Sequence, residues 1–128
     1  MSDTKIQVES VQITSAKIIS CMLPDDGTDL TIMRQLKNDK GVTRAESIAC
    51  RGVHNLQQTK TRTGKLPEPT LYRLLSVVVT DEQADDIFDF IYHNAHIGQP
   101  GRGTILQRTL LGATVYSLPE DVPDEKNL

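Results

Sequence analysis

The run Leu74-Leu75-Ser76-Val77-Val78-Val79 is apolar on both of its alternating faces. In a β-strand successive side chains point to opposite sides, so a strand of this composition needs cover on both. A capping box follows directly, Thr80 with Gln83, where each side chain satisfies a free backbone N–H of the other. Asp81 and Glu82 occupy the first turn, which suits the helix dipole. Ala84, Ile87, Phe88, Ile91, Tyr92 and Ala95 then recur at helical spacing. The pattern predicts a buried strand over 71–80 turning straight into a helix over 81–96, with Gly98 as its end.

The same unit is legible upstream. Val11–Leu23 reads as a strand, nearly continuously apolar over its last residues, and Pro24-Asp25-Asp26-Gly27 as a turn. Thr28 or Asp29 is the expected cap of a helix over 29–40. Leu30, Met33 and Leu36 are its apolar row, Ile32 an additional apolar site, and Gly41 its C-terminal stop. Ala45–Val53 is a second strand. Thr104–Leu110 is a fourth, and Ala113–Leu118 a short fifth. Strand, helix, strand, then loop, strand, helix, strand is the order of an α+β, ferredoxin-like sandwich, with two helices on one sheet face. Within one chain the other face is bare. Leu74 and Val78 point to it, so a symmetric oligomer is the expected cover.

The chain has 128 residues, the size of one domain, and is read as such over 1–128, with the core at about 16–118. Residues 54–70 are polar, hold two prolines and a glycine, and lack any period; they are either an insertion or a functional loop. Lys60, Arg62 and Lys65 make that loop the one basic patch, either solvated or partner-binding. The tail over 119–128 carries four acids and is expected to be mobile. Net charge is −3, without the basic face that duplex nucleic acid requires, so nucleic acid is not an expected partner. No stretch has the roughly 20 apolar residues of a membrane helix. The start lacks a signal-peptide apolar region. A cytoplasmic protein is expected. Cys21 and Cys50 lie in apolar runs and read as buried free thiols, a disulfide between them remaining open.

Gly98-Gln99-Pro100-Gly101-Arg102-Gly103 follows the second helix. Three glycines in six residues let backbone N–H groups approach an anion, and Arg102 adds a bidentate donor for phosphate or carboxylate. The alternative is a plain turn. The candidate effector-binding set is Gly98, Gly101, Arg102, Gly103, Thr104 and Arg108. His93 and His96, three apart at the end of the helix, are a candidate metal pair or simply polar residues that suit the helix C-terminus. No catalytic motif is present, and the carboxylates of the second helix (Asp81, Glu82, Asp85, Asp86, Asp89) read as a solvated or partner-facing surface. A binding protein rather than an enzyme is expected.

The run VVVTDEQADDIFDFIYHNAHIGQPGRGTIL, over 77–106, resembles the corresponding stretch of PII nitrogen-regulatory proteins. An apolar strand, an acidic cap, an amphipathic helix and a Gly-x-x-Gly-x-Gly loop before a strand carry that resemblance. AKIISCMLP, Gly41-Val42-Thr43 and Cys50-Arg51-Gly52 extend it to roughly 16–118. The resemblance implies a homotrimer with an adenine nucleotide in each cleft between subunits. It makes the glycine loop a phosphate-wrapping B-loop. It makes residues 54–70 a T-loop that docks on enzymes, regulators or membrane transporters, often of ammonium or bicarbonate.

The chain departs from that pattern in its charges. The lysine expected after the last B-loop glycine is Thr104, and two phosphate-binding arginines fall at Val115 and Ser117. Their loss argues against ATP and for ADP, AMP, cyclic AMP or a bicarbonate-like anion. The family's magnesium-binding glutamine falls at Leu56, one residue before Gln57. No tyrosine lies within 54–70 for uridylylation, whereas Thr59, Thr61 and Thr63 offer hydroxyls for phosphorylation. The divalent-cation-tolerance proteins share the trimeric fold and bind copper, so a trimeric metal-binding protein using His93 and His96 is the alternative.

Overall fold

The computed structural model describes residues 12–52 and 68–114. The order is β1 (Ile13–Pro24), α1 (Thr28–Lys40), β2 (Ala45–Gly52), β3 (Thr70–Thr80), α2 (Asp81–Asn94) and β4 (Thr104–Thr114). The four strands form one sheet, β2-β3-β1-β4, antiparallel throughout. The two most apolar strands, β1 and β3, are central. The edges fall to β2 and β4, whose side chains are more polar.

Register fixes the two faces. Ile19 lies opposite Val77 and Cys21 opposite Leu75. With Leu23 and Val79 these residues are buried against Ile32 and Leu36 of α1 and Ala84, Ile87 and Ile91 of α2. Each large aliphatic side chain buried this way contributes about 1.5–3 kcal/mol. On the reverse face Ile18 lies opposite Val78 and Met22 opposite Leu74. Ile48 and Leu106 flank these central pairs on the edge strands and stand 51% and 43% exposed. No element of the described chain covers this face, as the apolar character of both strand faces predicts.

Local chemistry explains the element ends, with several corrections. Thr80 caps α2 through the capping box predicted for it. Gly41 ends α1 at φ 66, its N–H donating to Leu36 O. The N-cap of α1 is Gly27, at φ 91, and neither Thr28 nor Asp29. Leu30 is 60% exposed; Ile32 and Leu36 carry the apolar face, and Asp29 joins them. The helix is rotated to this phase because Asp29, 2% exposed, accepts a hydrogen bond from Ser47 Oγ at 2.6 Å and lies 3.9 Å from Arg73 Nε.

Ala95, and not Gly98, is the C-cap of α2, and His96 takes the left-handed conformation at φ 58. The break expected between a fourth and fifth strand is absent: β4 runs unbroken through Ala113 to Thr114. Gly112 fits there because a Cβ would sit 3.2 Å from the Ile13 side chain. Both thiols are free, but only Cys21 is buried; Cys50 is half-buried, on the uncovered face opposite Tyr72. Val53, Lys60, Arg62, Lys65 and the loop as far as residue 67 lie outside the described residues, as do Val115, Ser117 and the acidic tail; Thr70, expected in that loop, instead opens β3.

Candidate functional site

The glycine loop closes on itself before it meets anything else. The N–H groups of His96, Ile97, Gln99 and Arg102 donate to the carbonyls of His93, Tyr92, His96 and Gln99. The amides of Gly98, Gly101 and Gly103 take no part in these turns. Two of the glycines have steric reasons. A Cβ on Gly103 would meet Met22 O at 1.9 Å, and its φ is 105, so only glycine lets the loop cross the end of β1. A Cβ on Gly98 would meet the Tyr92 hydroxyl at 2.6 Å. Gly101, at φ 77, has open space around it, and its glycine answers to backbone conformation alone.

Arg102 is the cation of this loop, and each of its three nitrogens donates one hydrogen bond. Nη1 donates to Asp26 Oδ2 at 2.9 Å, Nη2 to Thr28 Oγ1 at 2.8 Å and Nε to Ala95 O at 3.4 Å. Asp26 is held from its own turn as well, accepting from the N–H and the hydroxyl of Thr28. The Thr28 hydroxyl first, and Arg102 after it, hold the Asp26 carboxyl below its usual 3.8. Next to it, Asp25 accepts from Arg73 Nε at 3.1 Å. The end of the sheet that carries the glycine loop thus gathers Asp25, Asp26 and Asp29 around Arg73 and Arg102.

Gly98, Gly101, Arg102 and Gly103 lie in one continuous loop, and Thr104 follows it as the first residue of β4. The structure does not bring Arg108 to them. Arg108 stands exposed on the uncovered face opposite Ile18, four residues along β4 from Thr104, or about 13 Å. His93 lies in the last turn of α2, edge-on to Tyr92, with ring centroids 5.2 Å apart. His96 lies beyond the helix cap, so the two do not share a helix face. Among the described residues no group of three or more His, Cys, Asp or Glu is placed to hold a metal ion.

The sequence pattern singled out no candidate binding residue at the opposite end of the sheet. There a cleft of about 210 Å³ is lined by Gly41–Arg44, Val78–Thr80 and Ala113–Thr114. Arg44 crosses it, donating from Nη1 to Thr114 O at 2.8 Å. The available signal was a cation directly after the Gly41-Val42-Thr43 turn. Ala16 lines this cleft while Met22 touches the glycine loop, so the two places are about 20 Å apart along β1.

An antiparallel four-stranded sheet with two helices on one face defines a small ferredoxin-like α+β protein. Among solved structures the chain is similar to a crystal structure of Arabidopsis thaliana PII bound to citrate, at 14% identity and a TM-score of 0.52. The match covers 73% of this chain and 76% of that one. At this identity the likeness shows a PII-like fold. No family model and no curated protein matches the chain. Among the described residues no helix is long and apolar enough to cross a membrane.

Proposed function

We propose that this chain is a regulatory binding protein that assembles as a homotrimer and holds a small anionic effector at the seams between copies. The observation that carries the reading is the bare sheet face. Ile18, Met22, Leu74, Val78, Ile48 and Leu106 line it, and nothing in the described chain covers them. An apolar surface of this kind on a PII-like fold fits an interface between copies. The positions of the glycine loop and the Arg44 cleft also favour seams. The glycine loop and the Arg44 cleft lie at opposite ends of one sheet, so an effector touching both must be held by two copies.

The effector is a small anion: ADP, AMP, cyclic AMP or a bicarbonate-like species, with ATP disfavoured because Thr104 stands where a lysine would serve it. The solved neighbour, whose structure carries citrate, is consistent with a site for small anions on this fold. The chain acts by binding and not by catalysis. Residues 54–70, with Lys60, Arg62 and Lys65, are the surface offered to a regulated protein or transporter. Calorimetric titration with ATP, ADP, AMP, cyclic AMP and bicarbonate tests the reading. Saturable binding of at least one, weakest for ATP among the nucleotides, is expected; no binding of any would end it.

A further inference from the structure

We propose that Asp26 is a built-in competitor for the anion that Arg102 would otherwise take, so that the Arg102–Asp26 pair is a latch an effector must open. The inference rests on reading the glycine loop as an anion site. A guanidinium binds phosphate or carboxylate through paired N–H donors. Here that edge is already filled: Nη1 meets Asp26 Oδ2 at 2.9 Å and Nη2 meets Thr28 Oγ1 at 2.8 Å. Asp26 stands where an effector oxygen would.

Asp26 is also set in place without help from Arg102. The backbone N–H of Thr28 donates to its Oδ1 at 3.0 Å, and the Thr28 hydroxyl donates to the same atom. A carboxylate fixed by its own turn is a preorganised rival for the arginine. The backbone around Arg102 is fixed too, by the Arg102 N–H to Gln99 O bond and by the tight seat of Gly103 against Met22 O. Opening the latch is therefore a change of side-chain partner. The pair is partly solvent-exposed, at 26% and 45%, so an anion can reach it and the contact is weak enough to exchange.

Asp25 supplies the control. It is one residue away and carries the same charge, but it is bound to Arg73 and not to Arg102. Simple repulsion of an anion would respond alike to loss of either charge. A latch responds to Asp26 alone.

The full chain is titrated calorimetrically with inorganic pyrophosphate and with ADP, beside D26N, D25N, and D26N in an R102A background. Asp26→Ser serves should D26N not fold. The latch predicts about three- to tenfold tighter binding for D26N, less than about twofold for D25N, and no gain from D26N once Arg102 is gone. Equal gains for D25N and D26N, or none for D26N while the natural chain binds, overturn the latch and leave the anion site standing. Binding of neither probe by the natural chain or D26N overturns both. Binding by D26N alone supports the latch in its strongest form.

Discussion

Gly103 is the residue where geometry is least forgiving. Its φ is 105, and a methyl group at this position would come within 1.9 Å of Met22 O, so Gly103→Ala must move backbone at the end of β1. A loss of about 3 kcal/mol or more is expected in denaturant unfolding, against about 1 kcal/mol for Gly101→Ala, which meets only a φ penalty. Equal losses at the two positions would contradict the close crossing. Cys21 offers a second check. Burial pushes its thiol up to about 12. It is therefore expected to resist a thiol reagent at pH 8 in the folded protein and to react once the chain is unfolded.

Asp26 gives a signed pH effect. Its folded carboxyl lies below 3.8, so its contribution to stability is present above that value and disappears as pH falls through the lower folded one. D26N should accordingly flatten the acid limb of stability in that window, measured by denaturant midpoints, while leaving the limb above it unchanged. Neither this pairing nor that of Arg73 with Asp25 was legible in the sequence. Arg102 and Asp26 lie 76 residues apart, and only the fold makes them neighbours.

The elements themselves were largely legible, because their determinants are local. The helix α2 declares itself by its period and its capping box, and Ala84, Ile87 and Ile91 are buried as the period requires. Thr80→Ala should cost about 1 kcal/mol through the lost cap, and Ile87→Ala about 2–5 kcal/mol through the cavity it leaves. Thermal unfolding monitored by circular dichroism would rank the two. Where local signals misled, tertiary contacts decided. The phase of α1 follows the buried Asp29 and its partner Ser47 on β2, which no window over α1 contains. A fourth strand ending at Leu110 and a fifth starting at Ala113 were expected, yet β4 runs on through Gly112, where a Cβ would come within 3.2 Å of the Ile13 side chain on β1. Gly98 looked like a stop because it is the first glycine after α2. The chain instead turns two residues earlier, at His96, and Gly98 spares a clash with Tyr92.

At the scale of the whole molecule the chain is half of a layered structure. One sheet face meets two helices; the other meets nothing in the described chain, although Ile18, Met22, Leu74 and Val78 are set along it. This asymmetry was visible in a single strand, Leu74–Val79, because alternation assigns its side chains to both faces at once. The central claim is that copies of the chain cover this face. Sedimentation equilibrium of the natural chain at micromolar concentration, beside Val78→Asp, tests it most directly. A single species of about 43 kDa, three times the 14.2 kDa chain, is expected, with a shift toward monomer when a charge is placed on the face. A natural chain that sediments as a 14.2 kDa monomer at that concentration contradicts it.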